Sequence, residues 1–259
     1  GLDGEGDFVV GANGVVDFEE GHIPGANMVA YADIVTWAEA NLTMDDKVLV
    51  TCYTGHTAGH AVLILNLLGY DAYSLKFGMS AWHEDFDLWS GKLSSNYSDV
   101  FVTTAAPAKP EKGAYPVLET GETTGAAILD QRIADLQAGG YAFTTATDVM
   151  AAPADWFILN YWGEADYLDM GHIDGAYQYT PKATLGTSTD LSTLPTDMPI
   201  AVYCYSGQTG SQIAAYLTIL GYDAYDIKFG TNGMIYDDMT SHKWAGAETG
   251  PAGYDYVTD

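Results

Sequence analysis

Short, continuously apolar runs alternate along this chain with segments whose apolar positions recur at helical spacing. Lys47–Cys52 is an apolar run of strand length, Ala58–Leu68 follows at helical period, and Ala72–Lys76 is a second short run. The same succession returns later, with Trp156–Leu159 and Pro199–Cys204 as strands, Gln212–Leu220 as a helix and Ala224–Lys228 as a strand. Ala126–Gln137 carries Ile128, Leu129, Ile133 and Leu136 on one helical face and predicts a further amphipathic helix. Strands that are apolar throughout, rather than at every second position, are buried on both faces, and their alternation with helices predicts parallel sheets. The expected fold class is therefore α/β, with a parallel sheet in each half of the chain and helices on both of its faces.

The halves are copies. The segment Val48–Gly59, VLVTCYTGHTAG, returns 152 positions later as Ile200–Ser211, IAVYCYSGQTGS. Gly69–Gly78 matches Gly221–Gly230 at eight of ten positions with the same offset, and upstream Gly21-His-Ile-Pro-Gly-Ala26 matches Gly171-His-Ile-Asp-Gly-Ala176. Order and spacing are kept, which indicates one duplicated domain. Between the copies lies a stretch rich in Ser, Thr, Ala and Pro, which reads as a linker. The expected boundaries are domain one over residues 1–98, a linker over 99–124 and domain two over 125–259. The first copy has no room before Gly21 for an equivalent of the Ala126–Gln137 helix. That helix has been lost, cleaved, or supplied by another element or chain. In the last case a homo-oligomer or filament results.

Composition narrows the classes. Of 259 residues, 47% are hydrophobic and 17% charged, which is globular and long enough for two cores. Nine basic residues face 35 acidic ones, for a net charge of -26. Such a surface repels phosphate backbones and anionic membranes, so nucleic-acid binding is excluded. Solubility in a salty or extracellular medium accounts for the charge, as does an acidic face for a basic protein partner. No apolar run is long enough to span a membrane, and no signal peptide is visible. The expected location is extracytoplasmic, in a periplasm or on a cell surface.

The chain has two cysteines, Cys52 and Cys204, one per copy. Each ends an apolar strand and is followed by a glycine-containing loop and a helix start. A thiolate at a helix N-terminus is favoured by free backbone N–H groups and by the helix dipole. Ligands of parallel sheets sit at the carboxyl ends of the strands, where both cysteines fall. Lys76 and Lys228, closing the next strands, are candidate anion-binding partners on the same rim, against the simpler reading of lysines that cover neighbouring phenylalanines. A Cys52–Cys204 disulfide is an alternative that the tight geometry of a bridge disfavours. The spacing Cys52-x3-His56-x3-His60 falls short of a closed ligand set, so no metal is expected, and no motif asks for a cofactor. His56 is instead a neighbour that lowers the pKa of Cys52, or simply part of the loop. His22 and His172 read as loop-holding residues.

In order, GHI-x-G-A, a strand ending in C-x-x-G-x-T-A/G, a helix, then LGYDAY and a glycine turn, the chain resembles a tandem rhodanese-type sulfurtransferase such as thiosulfate or mercaptopyruvate sulfurtransferase. The resemblance implies nucleophilic catalysis in two steps, in which a cysteine takes sulfane sulfur as a persulfide and passes it to an acceptor. It implies Cys204 and Cys52 as nucleophiles, with Cys204 favoured because the C-terminal domain is usually the active one in tandem relatives. Tyr205, Ser206, Gly207, Gln208, Thr209 and Gly210 form one anion-holding loop; Tyr53, Thr54, Gly55, His56, Thr57 and Ala58 form the other. The partners implied are a small donor, thiosulfate or polysulfide-like, and a thiol or cyanide acceptor. The alternative is a sulfur-carrier or assembly protein with weak or no catalysis. Where relatives carry Asp-x-Arg before the GHI motif, this chain reads Gly11-Ala12-Asn13 and Asn160-Tyr161-Trp162, and Arg132 is the only arginine. A phosphatase of the C-x5-R type is excluded, since Ala58 and Gly210 stand where its arginine would.

Overall fold

Each cysteine-bearing strand lies inside a parallel sheet. The computed structural model describes residues 8–11 and 15–258. They form two compact units, the first made of residues up to Lys92 with Gln137–Tyr141 and residues from Trp244 on, the second of Leu93–Leu136 and Ala142–Lys243.

In chain order the first unit contains β1 (Phe8–Gly11), α1 (Val15–Glu20), β2 (Asn27–Met28), α2 (Ile34–Asn41), β3 (Lys47–Thr51), α3 (His56–Leu67), β4 (Asp71–Ser74) and α4 (Met79–Trp82). Its sheet runs β2-β1-β3-β4, all parallel. Val48 and Val50 bury one face against Ile34 and Ala38 of α2 and Ala58, Ala61 and Leu65 of α3. Leu49 points the other way, toward Ile23, Met79 and Phe86. This two-sided burial is why the strand reads as a continuous apolar run.

The later part of the chain supplies β5 (Phe101–Val102), α5 (Gly125–Gly139), β6 (Phe143–Thr144), α6 (Ala146–Ala151), β7 (Phe157–Asn160), α7 (Glu164–Asp169), β8 (His172–Ile173), β9 (Tyr177–Gln178), β10 (Ile200–Tyr203), α8 (Gln208–Ile219) and β11 (Ala224–Ile227). The second sheet runs β6-β11-β10-β7-β9, again parallel. Its four strands β9, β7, β10 and β11 repeat the first sheet, and β6 adds an edge with no counterpart among the described residues of the first unit. All four residues of β10 are buried. Ile200 and Val202 face Ala214 and Leu217 of α8; Ala201 and Tyr203 face Val149 of α6 and Met234.

Several sequence expectations shift. The two central helices begin earlier than their apolar periodicity indicates, at His56 and Gln208 rather than Ala58 and Gln212. Their first turns are polar yet buried, so hydropathy hides them. Residues 99–124 are not a free linker. Within the second unit β5 pairs antiparallel with β8, the Gly113 N–H donates to Ser192 O at 2.7 Å, and Lys109 pairs with Asp190 at 2.9 Å. Domain two does not hold all of 125–259, because residues from Trp244 on pack in the first unit. There His22 bridges Val257, Ala252 N–H donates to Ala81 O, Tyr254 N–H donates to Trp82 O, and Trp244 buries its ring against Phe77. This tail has no periodic pattern to announce it; backbone hydrogen bonds, Trp244 and the rings of Tyr254 and Tyr256 on Trp82 and Phe86 hold it. Of the stretch Gly11-Ala12-Asn13, Ala12 and Asn13 lie outside the described residues. Arg132 is engaged structurally: its guanidinium donates to Thr218 O and Ile219 O at the end of α8 and pairs with Asp135. A cation there complements the negative end of the helix dipole. Among the described residues no helix is long and apolar enough to cross a membrane.

Candidate active site

Each site begins where a central strand stops. After β3 comes Cys52 and after β10 comes Cys204, both free thiols and both buried. Gly55 and Gly207 stand at the helix N-caps with φ of 86° and 76°, left-handed values that glycine adopts without strain. That reversal points the next amides back at the sulfur. Gly55 N–H donates to Cys52 Sγ at 3.1 Å and Ala58 N–H at 3.4 Å. Gly210 N–H donates to Cys204 Sγ at 3.3 Å.

The loop carbonyls are held on the opposite side. Cys52 O accepts from Met79 N–H, and Tyr53 O from Ser80 N–H; Cys204 O accepts from Thr231 N–H, and Tyr205 O from Asn232 N–H. The Asn232 amide adds a further bond to Tyr205 O at 2.7 Å. With the carbonyls occupied by these bonds, backbone N–H groups are left to reach each sulfur, which is the arrangement of an anion nest. The clamp depends on Gly78 and Gly230. A Cβ on Gly78 would overlap Cys52 O and lie 2.7 Å from Gly55 N; one on Gly230 would overlap Cys204 O and lie 2.7 Å from Gly207 N. The repeated Lys-Phe-Gly thus supports the loop through its glycine.

The side chains of the loops do not all turn to the sulfur. Thr54 Oγ1 bonds His56 Nδ1 at 2.7 Å, and Ser206 Oγ donates to Gln208 Oε1. Thr209 is exposed and Thr57 half-buried in the first helical turns. Tyr53 reaches Glu20 and packs edge-on against Phe86. Tyr205 stacks between Trp162 at 4.7 Å and His242 at 4.1 Å and donates its hydroxyl to Asp166. His56 is buried in a stack with Trp89 and Tyr141. His60 behind it meets the Tyr31 hydroxyl and the edge of Tyr141, and burial pushes its pKa down to about 3. The two histidines are therefore packed among aromatic rings. His22 and His172 hold their loops through bonds from Nδ1 to Phe18 O and Tyr167 O.

The two lysines sit on rings. Lys76 Nζ lies 5.1 Å from the Phe77 centroid, and Lys228 Nζ lies 4.7 Å from that of Phe143 and 5.7 Å from that of Phe229. These are cation–π positions. At Cys204 burial raises the thiol pKa most, the charge of Asp226 raises it further, and the N–H groups of Gly210, Ser206 and Gly207 pull it down. No lysine is among those influences.

Sequence reasoning missed Asp226. It lies buried on β11, opposite Val202 in the register. A Cβ on Gly210 would overlap its Oδ1. The repeat carried a signal: Ser74 and Ala58 hold these two positions in the first copy, so the copies differ at both. Sequence reasoning also missed the stack of Trp162, Tyr205 and His242, which has no repeat signature.

Comparison with known proteins identifies the family. The family model described as rhodanese-like domain matches residues 4–85 and again 145–235. Among solved structures the chain is similar to a rhodanese-like domain protein from Staphylococcus aureus, at 22% identity over 31% of this chain and 78% of that one, with a TM-score of 0.29. It is similar to thiosulfate sulfurtransferase from Pseudomonas aeruginosa at 17% identity, over 86% of this chain and 39% of that one, TM-score 0.31. A probable thiosulfate sulfurtransferase aligns at 15% identity over 91% of this chain and 97% of that one, TM-score 0.35. No curated protein matches the sequence.

Proposed function

The chain belongs to the rhodanese-like family, and from that premise we propose that it is a sulfurtransferase working through cysteine persulfides at Cys52 and Cys204. The observation that carries the reading is the convergence of backbone N–H groups on a buried sulfur at a helix N-terminus, made twice. Such a nest holds an anionic sulfur, whether the thiolate before transfer or the outer persulfide sulfur after it.

In the first step the thiolate attacks the sulfane sulfur of a donor. A new S–S bond forms as the donor's S–S bond breaks, and the electron pair leaves on sulfite from thiosulfate, or on a shorter thiolate from a polysulfide. In the second step an acceptor thiolate, or cyanide, attacks the outer sulfur and the cysteine departs as thiolate. No external oxidant or reductant is required. The nest stabilises the departing thiolate in this step as it stabilises the attacking one in the first. Water is excluded by burial, with Cys52 4% and Cys204 2% exposed.

The test is intact-mass analysis after incubation with thiosulfate or polysulfide. A gain of one sulfur atom per reactive site is expected, one of them lost in Cys204→Ser, the other in Cys52→Ser, and all removed by a thiol or cyanide. Absence of any adduct on either cysteine overturns the reading.

A further inference from the structure

The two nests share a backbone but rest on different residues. Under the Cys204 loop lies Asp226, a buried carboxylate on the strand next to β10. Its Oδ1 occupies the space that a side chain on residue 210 would fill. Gly210 in turn donates its N–H to Cys204 Sγ at 3.3 Å. Carboxylate, glycine and sulfur therefore form one cluster about Gly210 in the first turn of α8. In the first unit the cluster is built otherwise: Ala58 has the methyl that residue 210 lacks, and Ser74 stands in place of the carboxylate. Ala58 donates its N–H to Cys52 Sγ in the same way.

We propose that Asp226 sets the charge class of what Cys204 reacts with: it turns away anions, thiosulfate among them, and leaves Cys204 to neutral polysulfides, whereas the Cys52 site, with Ser74, accepts anionic donors. The inference rests on the sulfurtransferase reading for the identity of the donors, but not for the charge selection itself. The physical reason is that an ionised carboxylate beside a sulfur shielded from water is weakly screened by solvent and salt, and its charge opposes the attraction that the N–H nest exerts on an incoming anion. A neutral donor feels no such opposition until charge develops on its leaving group. The same carboxylate contributes to the raised thiol pKa of Cys204, after burial, which is independent of what approaches.

The experiment compares alkylation of each cysteine by iodoacetamide, which is neutral, and iodoacetate, which is an anion, at one pH with the full chain. Both reagents require the thiolate, so its fraction cancels in the ratio of the two rates, and a change of thiol pKa alone leaves the ratio unmoved. In Asp226→Asn the preference of Cys204 for iodoacetamide is expected to narrow by about tenfold, while the ratio at Cys52 stays fixed as the internal reference. The double variant Asp226→Ser with Gly210→Ala installs the first unit's own pair and should narrow the ratio in the same way, even if the single variant folds poorly. An unchanged ratio at Cys204 in both variants, or an equal change at Cys52, overturns the proposal. Sulfur loading from thiosulfate against an organic trisulfide is then expected to follow the alkylation ratios. If the ratios move but neither donor loads either cysteine, the sulfurtransferase reading falls and Asp226 keeps its assignment as a charge filter.

Discussion

The Cys52 and Cys204 loops turn through the same left-handed glycine, aim amides at sulfur in the same way and anchor their carbonyls on the two residues that follow the same Lys-Phe-Gly. Behind them little is shared. Cys52 has Ala58 over Ser74, with the buried pair His56 and His60 among Tyr31, Trp89 and Tyr141. Cys204 has Gly210 over Asp226, with Gln208 and Gln212 at the histidine positions and the Trp162–Tyr205–His242 stack beside it. Backbone geometry defines the chemistry common to both units, and the residues beneath the loop set the charge around each sulfur.

The largest expected effect breaks one loop and spares the other. Gly230→Ala drives a methyl into Cys204 O at a position with φ of 52°; displacing the loop by about 1 Å should slow reaction at Cys204 about 100-fold. Alkylation followed by peptide mass spectrometry should show Cys52 unaffected, and Gly78→Ala should give the mirror result. Equal loss at both sites in either variant would mean that the loops are not independent.

Acid should weaken the first unit next. His60 is buried with its pKa pushed down to about 3, so between there and its ordinary value the unfolded chain takes up a proton that the folded one refuses. Stability from this group is complete above the ordinary histidine value and declines as pH falls, by about 1.4 kcal/mol per pH unit. Urea unfolding at pH 7 and pH 4 should show that loss in the transition of the first unit. His60→Gln, the residue found at 212, should remove this group's share of the slope, and a slope unchanged in the variant would locate the acid sensitivity elsewhere.

A smaller effect sharpens the contrast between Gly210/Asp226 and Ala58/Ser74. Gly210→Ala alone overpacks against the carboxylate and should cost about 1–3 kcal/mol. Added to Asp226→Ser the same change should cost far less, with a coupling energy of at least about 1 kcal/mol in a double-mutant cycle. Additive costs would show that the two positions do not share one space.

Least is expected of the lysines. Lys76→Met and Lys228→Met each lose a cation–π contact worth about 0.5–1 kcal/mol and should leave sulfur loading within about twofold of the parent, in keeping with side chains that cover rings. A tenfold loss of loading from thiosulfate would instead make them the anion partners that their place on the rim first indicated.

Much of the fold was legible because burial on both faces writes itself as continuous apolar strands, and because the duplication shows the same pattern twice. The cysteine loops were legible for the same reason, together with their glycines. The polar first turns of α3 and α8 were not, since His56, Gln208 and Ser211 are buried without being apolar. Nor was Asp226: aspartate after a tyrosine near a strand end reads as surface, and only its contact with Gly210 reveals a buried charge. The lysines were read as closing their strands, but β4 ends at Ser74 and β11 at Ile227; their ammonium groups lie over the rings of Phe77, Phe143 and Phe229, which periodicity does not convey.

The return of residues 244–258 to the first unit bears on how this protein is made. During synthesis the segments up to Lys92 leave the ribosome early, yet Trp244, which packs on Phe77 and Trp89, follows only after the whole second unit has been translated. The usual order, in which the N-terminal part of a chain folds first, is therefore inverted. The second unit is expected to fold while the first still shows apolar surface, and a nascent chain stalled before Trp244 should be the form most readily captured by chaperones or cut by proteases.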